Sequence, residues 1–110
     1  MSKFLIVRTR PDSTHTGGRV LVGIDNIATI VTSTKIGLVY TTGLQVEFSF
    51  DNGLVLGDEN PMNFVTKMIQ SLCESDNSTV ELPVVFPNCF DTLGNPLTLS
   101  SVSWVWDCCT

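Results

Sequence analysis

The residues predict an α+β domain, an antiparallel β-meander of about five to seven strands covered on one face by a single amphipathic helix and followed by an extended β tail. Three observations carry this. Leu44, Val46, Phe48 and Phe50 alternate with Gln45, Glu47 and Ser49, the period of a strand with one face in a core. Asp51-Asn52-Gly53 supplies the left-handed-tolerant residues of a tight hairpin. Asn60-Pro61, preceded by Asp58-Glu59, then reads as a helix start, with Asn at the cap, Pro at the first helical position and acids at the positive end of the dipole.

The remaining elements follow in order. Lys3 to Thr9 is β-branched and aromatic and reads as a strand. Arg10 to Gly18 collects Pro, Asp, Ser, Thr and two glycines, a loop suited to reaching a partner. Arg19 to Ile24 restarts a strand, Asp25-Asn26 turns, and Ile27 to Thr32 and Ile36 to Tyr40 continue the β-rich run, broken at Thr41-Thr42-Gly43. Leu54 to Leu56 is expected to fold back onto Leu44 to Phe50. The helix runs from Pro61 to about Glu74, with Phe64, Val65, Met68, Ile69 and Leu72 as its apolar stripe. After Ser75 to Ser78 the tail begins. Thr79 to Phe86 is extended, but Pro83 lacks a ladder donor and confines it to an edge. Pro87-Asn88 and Gly94-Asn95-Pro96 are turns, and Leu97 to Asp107 is a last strand. The organisation is a 1–78 unit of meander plus helix and a 79–110 tail, which either completes the same domain or serves as an assembly arm. Because the first unit has a sheet face and a helix stripe to satisfy each other, truncation after Ser78 is expected to leave it folded.

At 110 residues and 43% hydrophobic, the chain supports one core. Its charged fraction of 15% is well below the roughly 25% of ordinary soluble domains, which implies a Ser/Thr/Asn-rich surface or one covered by neighbouring subunits. Formal net charge is −5, and the six cations Lys3, Arg8, Arg10, Arg19, Lys35 and Lys67 are scattered, so no track for a phosphate backbone is expected. The apolar run before Arg8 is too short for a secretory signal and no run approaches a membrane span, which points to synthesis in the cytoplasm and to no membrane partner. The cysteines Cys73, Cys89, Cys108 and Cys109 are then expected to be reduced.

No catalytic, cofactor-binding or metal-ligating set emerges. His15, the only histidine, reads as a solvated loop residue. Cys73, beside the helix stripe, reads as core filler. Cys108-Cys109 are adjacent and lack the two-to-four-residue spacing of a zinc site. Asp58-Glu59 is explained as complement to the helix dipole. There is no phosphate loop, dinucleotide turn or Ser/His/Asp motif, and no small-molecule substrate is implied. What remains is the apolar tail. Trp104 and Trp106 share one face of the last strand and can seal the chain's own core or anchor a neighbour, so Trp104, Trp106, Phe86 and Phe90 are the candidate partner contacts.

The opening Met1 to Leu5 strand, the Val20-Leu21-Val22-Gly23-Ile24-Asp25-Asn26-Ile27 segment, the Thr-rich hairpin and the Pro61 to Glu74 helix together resemble small virion-associated proteins of tailed bacteriophages, marine ones in particular. The resemblance covers about the first two thirds of the chain, and the segment after Ser75 departs from it. It implies a non-enzymatic structural or decoration protein of a capsid or head-tail assembly, located in the virion and contacting identical copies and a major capsid or other shell protein. A similar order of strands and helix occurs in single-stranded nucleic-acid-binding domains of the coactivator type, whose basic face this chain lacks. A nucleic-acid-binding or regulatory module is therefore the alternative expectation, and a thiol- or metal-dependent enzyme a third.

Overall fold

The computed structural model describes residues 2–9 and 18–106. Among these residues the chain forms β1 (Phe4–Thr9), β2 (Gly18–Gly23), β3 (Ile27–Thr32), β4 (Ile36–Tyr40), β5 (Leu44–Phe50), α1 (Asn60–Glu74), β6 (Thr79–Leu82), β7 (Val85–Phe90) and β8 (Pro96–Trp106). The class is α+β, with mostly antiparallel strands and one helix. The single sheet expected from the sequence is, however, two sheets. One has the order β2-β1-β6, the other β3-β4-β5-β8-β7. β1 and β6 are parallel, pairing Phe4 with Thr79 and Val7 with Leu82, whereas every other ladder is antiparallel.

The chain changes sheets three times, once through α1 between β5 and β6 and at two places that the sequence marks. After Gly23 it passes through Asn26, whose φ of 68° lies in the left-handed region that Asn tolerates, and enters β3 in the second sheet. At Pro83, which has no N–H for a ladder, the extended run from Thr79 splits into β6 and β7, each an edge strand of a different sheet. Pro87-Asn88 is not the expected turn. It lies inside β7, where Asn88 has φ 58° and the β7–β8 register shifts.

The expected hairpin onto β5 is also corrected. Asn52 and Gly53 do adopt positive φ, 61° and 75°, and the Gly53 N–H donates to the Phe50 carbonyl, so the turn forms. The partner of β5 is instead β8, with seven paired positions from Leu44–Trp106 to Phe50–Leu99, and Leu54 makes one isolated bridge to Asp91. A three-residue segment ending at Gly57 (φ 85°) cannot match the ladder that the longer, alternating β8 offers.

α1 starts one residue earlier than expected. Its N-cap is Glu59 rather than Asn60, and the free Asn60 N–H is taken by the Asp58 carboxylate at 3.0 Å. Pro61, Val65 and Leu72 are buried. At about 1.5 Å per residue the helix is about 22 Å long, close to the roughly 19 Å spanned by five strands, and it touches both edge strands β3 and β7 of the larger sheet as well as β6. At its C-terminal end the Lys3 Nζ donates to the carbonyls of Leu72 (2.7 Å) and Ser75 (2.5 Å), placing a cation on the negative end of the dipole and tying the start of β1 to the helix. The Tyr40 hydroxyl donates to the Gly23 carbonyl and so joins β4 in one sheet to β2 in the other.

One core fills the space between the sheets and the helix. Leu5, Val7, Val22, Ile36, Leu38, Phe48, Val65 and Leu72 contribute to it from the first unit, and Leu82, Phe86, Cys89, Leu97 and Leu99 from the tail. The Phe86 ring meets Phe50 edge-on with centroids 5.1 Å apart and Phe64 at 5.0 Å. The core therefore crosses the boundary at Ser78, which corrects the expectation that the first unit satisfies itself. Sheet and helix leave a gap that the tail fills.

Candidate functional site

Two surface regions carry side-chain chemistry, one at each end of β8. At its start, a cleft of about 540 Å³ is lined by Asp51, Asn52, Asp91 and Asn95 with Val85 and Thr98. Asp91, only 3% exposed, organises it. Its Oδ2 accepts from the Asn52 Nδ2 at 3.1 Å, and its Oδ1 accepts from the backbone N–H of Leu93 (2.9 Å) and of Asn95 (3.0 Å). The Asp91 N–H donates to the Asn95 carbonyl and the Gly94 N–H to the Asp91 carbonyl. Gly94, at φ 82°, takes the left-handed position that lets the chain return. The hydrogen bond from Asn52 holds the Asp91 carboxyl below the usual range; burial opposes this, and the backbone N–H donors of Asn95, Leu93 and Gly94 reinforce it. An ionised carboxylate with that many donors is a weak base. Its work is to fix the turn before β8 and to clamp it to the Asn52 turn, a grip completed by the Thr92 hydroxyl on the Asn52 carbonyl at 2.5 Å.

The sequence reading passed over Asp91. The signal was present, because Asp followed three residues later by Gly is the composition of a type I turn with an Asx hydrogen bond.

At the other end of β8 lies an apolar region. Trp104 closes a cross-strand row running Ile30, Leu38, Val46, Trp104 on the core side of the larger sheet. Leu38 and Val46 are buried, yet Trp104 is 47% exposed and the next residue, Val105, 44%. Consecutive strand residues point to opposite faces, so neither face of the sheet is fully covered here. β7 pairs with β8 only from Val85–Thr98 to Phe90–Pro96, and Leu99 adds one bond to the Val84 carbonyl. Among the described residues, β8 pairs beyond Ser100 through β5 alone.

The four candidate contacts thus separate. Trp104 and Phe90 are half-exposed, but at opposite ends of β8. Trp106 pairs with Leu44 at the far end of the strand, and its side chain lies outside the described residues. Phe86 is corrected: at 1% exposure between Phe50 and Phe64 it is a core residue and presents nothing to a partner. Val85, which lines the cleft, and Leu56 and Leu93 are also exposed.

The thiols are also redistributed. Cys73 is exposed, because it sits about 100° around the helix from buried Leu72 and falls outside the stripe. Cys89 takes the core position, where burial first and the Asp58 charge second push its thiol up, away from the reactive thiolate. His15, the Arg10 to Gly17 loop, Cys108 and Cys109 lie outside the described residues. Among the described residues no group of three or more His, Cys, Asp or Glu side chains could hold a metal ion, and no helix is long and apolar enough to cross a membrane. Several cations are occupied: Lys3 on the helix terminus, Arg8 with Glu81, and Lys35 with Glu47 at 3.4 Å. Comparison with known protein families, with curated proteins and with solved structures returns no match.

Proposed function

We propose that this chain is a non-enzymatic structural protein of a bacteriophage particle, a capsid decoration or head-tail component that works through contacts with its own copies and with a shell protein. The observation that carries the reading is the pairing of a weakly charged chain with half-exposed aromatic and aliphatic side chains at both ends of its longest strand, Phe90 and Leu93 at one end and Trp104 and Val105 at the other. Large apolar side chains in a surface with few charges are the composition of an interface core. Asp91, held ionised, and Cys89, held as the thiol, are spent on the turn and on packing. The cations held by Lys3, Arg8 and Lys35 in internal contacts support a partner that is protein rather than nucleic acid. Density-gradient separation of intact particles from the producing culture, with the chain followed by antibody, tests the reading. The chain is expected to sediment with the particles and to stay there through a high-salt wash. A chain found exclusively free of particles rejects it.

A further inference from the structure

Of the asparagines in the chain, only Asn52 is followed by glycine. That dipeptide has a chemistry of its own, because Gly53 has no side chain to obstruct the approach of its backbone nitrogen to the Asn52 side-chain carbonyl carbon. Asn52 is exposed, and the space where a Gly53 side chain would stand is open, so solvent reaches the peptide. Two contacts oppose the approach. The Asn52 Nδ2 donates to the Asp91 Oδ2 at 3.1 Å, which fixes the side-chain amide, and the Gly53 N–H donates to the Phe50 carbonyl at 3.3 Å, which holds the nitrogen in the turn. The second bond is long for its type, so the charge-assisted bond to Asp91 is the stronger restraint.

We infer that Asn52 is a site of spontaneous deamidation, held back by its hydrogen bond to Asp91, and that its conversion releases the turn that delivers β8. The Gly53 nitrogen gives up its proton to solvent and bonds to the Asn52 Cγ. The Cγ–Nδ2 bond breaks, and the amide nitrogen takes up a proton and leaves as ammonia. Water then opens the resulting five-membered succinimide, at Cγ to give aspartate or at the α-carbonyl to give isoaspartate. No electrons are exchanged and water is the only co-reactant. In either product the donor to Asp91 is gone and a carboxylate stands beside an ionised one. In isoaspartate the α-carbonyl that accepts from the Thr92 hydroxyl becomes the free carboxylate and the main chain gains a methylene, so the second grip on the turn changes as well. The cleft lined by Asp51 and Asp91 gains a third carboxylate. The inference rests on the contact between Asn52 and Asp91 and is independent of the particle reading.

The full chain tests it, incubated folded in mildly alkaline buffer and in parallel unfolded in urea, with each asparagine followed by peptide mass mapping and by enzymatic methylation of isoaspartate. The folded wild type is expected to convert at Asn52 ahead of exposed Asn77, which precedes Ser78, and the unfolded chain to convert at Asn52 about tenfold faster or more. Asp91→Asn, which keeps the shape but removes the charge from the acceptor, is expected to raise the folded-state rate severalfold. Asn52→Asp is expected to lower the urea midpoint at neutral pH. A folded chain that converts first at another asparagine, or equal rates folded and unfolded, overturns the inference without depending on any variant. A folded-state rate unchanged by Asp91→Asn overturns the restraint by Asp91, and a wild-type midpoint in Asn52→Asp overturns the release of the turn.

Discussion

β8 is one strand with two environments. From Pro96 to Thr98 it pairs with β7, at Thr98 and Leu99 it also meets Asp51 and the end of β5 on its other side, and Leu97 and Leu99 are fully buried. Beyond the irregularity at Ser100 apolar residues resume at Val102, Trp104 and Trp106, but a ladder remains on one side only among the described residues and Trp104 is half-exposed although its row of neighbours belongs to the core. Similar side chains on the same strand thus end in different places because one half has a second neighbour. Burial is a property of the neighbours a strand acquires, and a strand longer than its partners projects part of an inner face into solvent.

Removing the strand altogether is the harshest test of that comparison. Truncation after Ser78 strips five of the seventeen buried apolar residues among those described from the core and exposes edges on β1 and β5, so the remaining chain is expected to lose its cooperative transition, read by near-ultraviolet circular dichroism and urea titration. A folded truncation would mean that the two halves of β8 are equally dispensable. Next, paired substitutions set the halves against each other. Leu99→Ala is expected to cost about 2 to 5 kcal/mol, whereas Trp104→Ala, from a half-exposed site, is expected to cost about 1 kcal/mol. Equal losses in urea midpoint would erase the distinction.

A smaller effect sharpens the contrast between the sheets that β8 helps to hold. Tyr40→Phe removes the hydroxyl bond to Gly23 and is expected to cost about 1 kcal/mol. Burial pushes the Tyr40 hydroxyl up to about 12, so its contribution is complete below its ordinary value of 10.0 and is lost as pH rises from there toward 12. Urea midpoints of wild type and Tyr40→Phe should therefore converge in that alkaline window, and parallel curves would show that the bond does not couple to ionisation.

The finest test concerns the turn that delivers β8. Because the Asp91 carboxyl is held below its usual range, its stabilisation is present above about pH 4, the unfolded-state value, and is lost as pH falls through the folded one. Asp91→Asn should lower the urea midpoint at pH 6, and the gap to wild type should narrow toward pH 3. A gap independent of pH would assign the role of Asp91 to shape rather than charge.

Much of this was legible in the residues. β3, β4 and β5 match the predicted spans residue for residue, because β-branched and alternating segments bounded by Gly, Asn and Thr report local preferences that packing did not override. α1 is displaced by one residue because the capping acceptor is Asp58, two positions before the N–H it satisfies. The candidate surface was legible only in part. Trp104 and Phe90 do stand at the surface, but Phe86 and Cys73 exchanged the places expected of them, one inward and one outward, since apolar character does not reveal which face a neighbour will cover.

The sequence by itself determined the α+β class, the turns at Asn52-Gly53 and Gly94, the break at Pro83 and the low surface charge, all of which follow from backbone preference and composition within a few residues. Only the tertiary structure decided that β5 takes β8 rather than Leu54 to Leu56, that β6 lies parallel to β1, that Lys3 closes the end of α1 and that Asn52 clamps the Asp91 carboxylate. These contacts join residues separated by between 39 and 75 positions, or choose among competing partners of the same strand. Such choices turn on the total ladder length and apolar burial of the whole chain, which no local window contains.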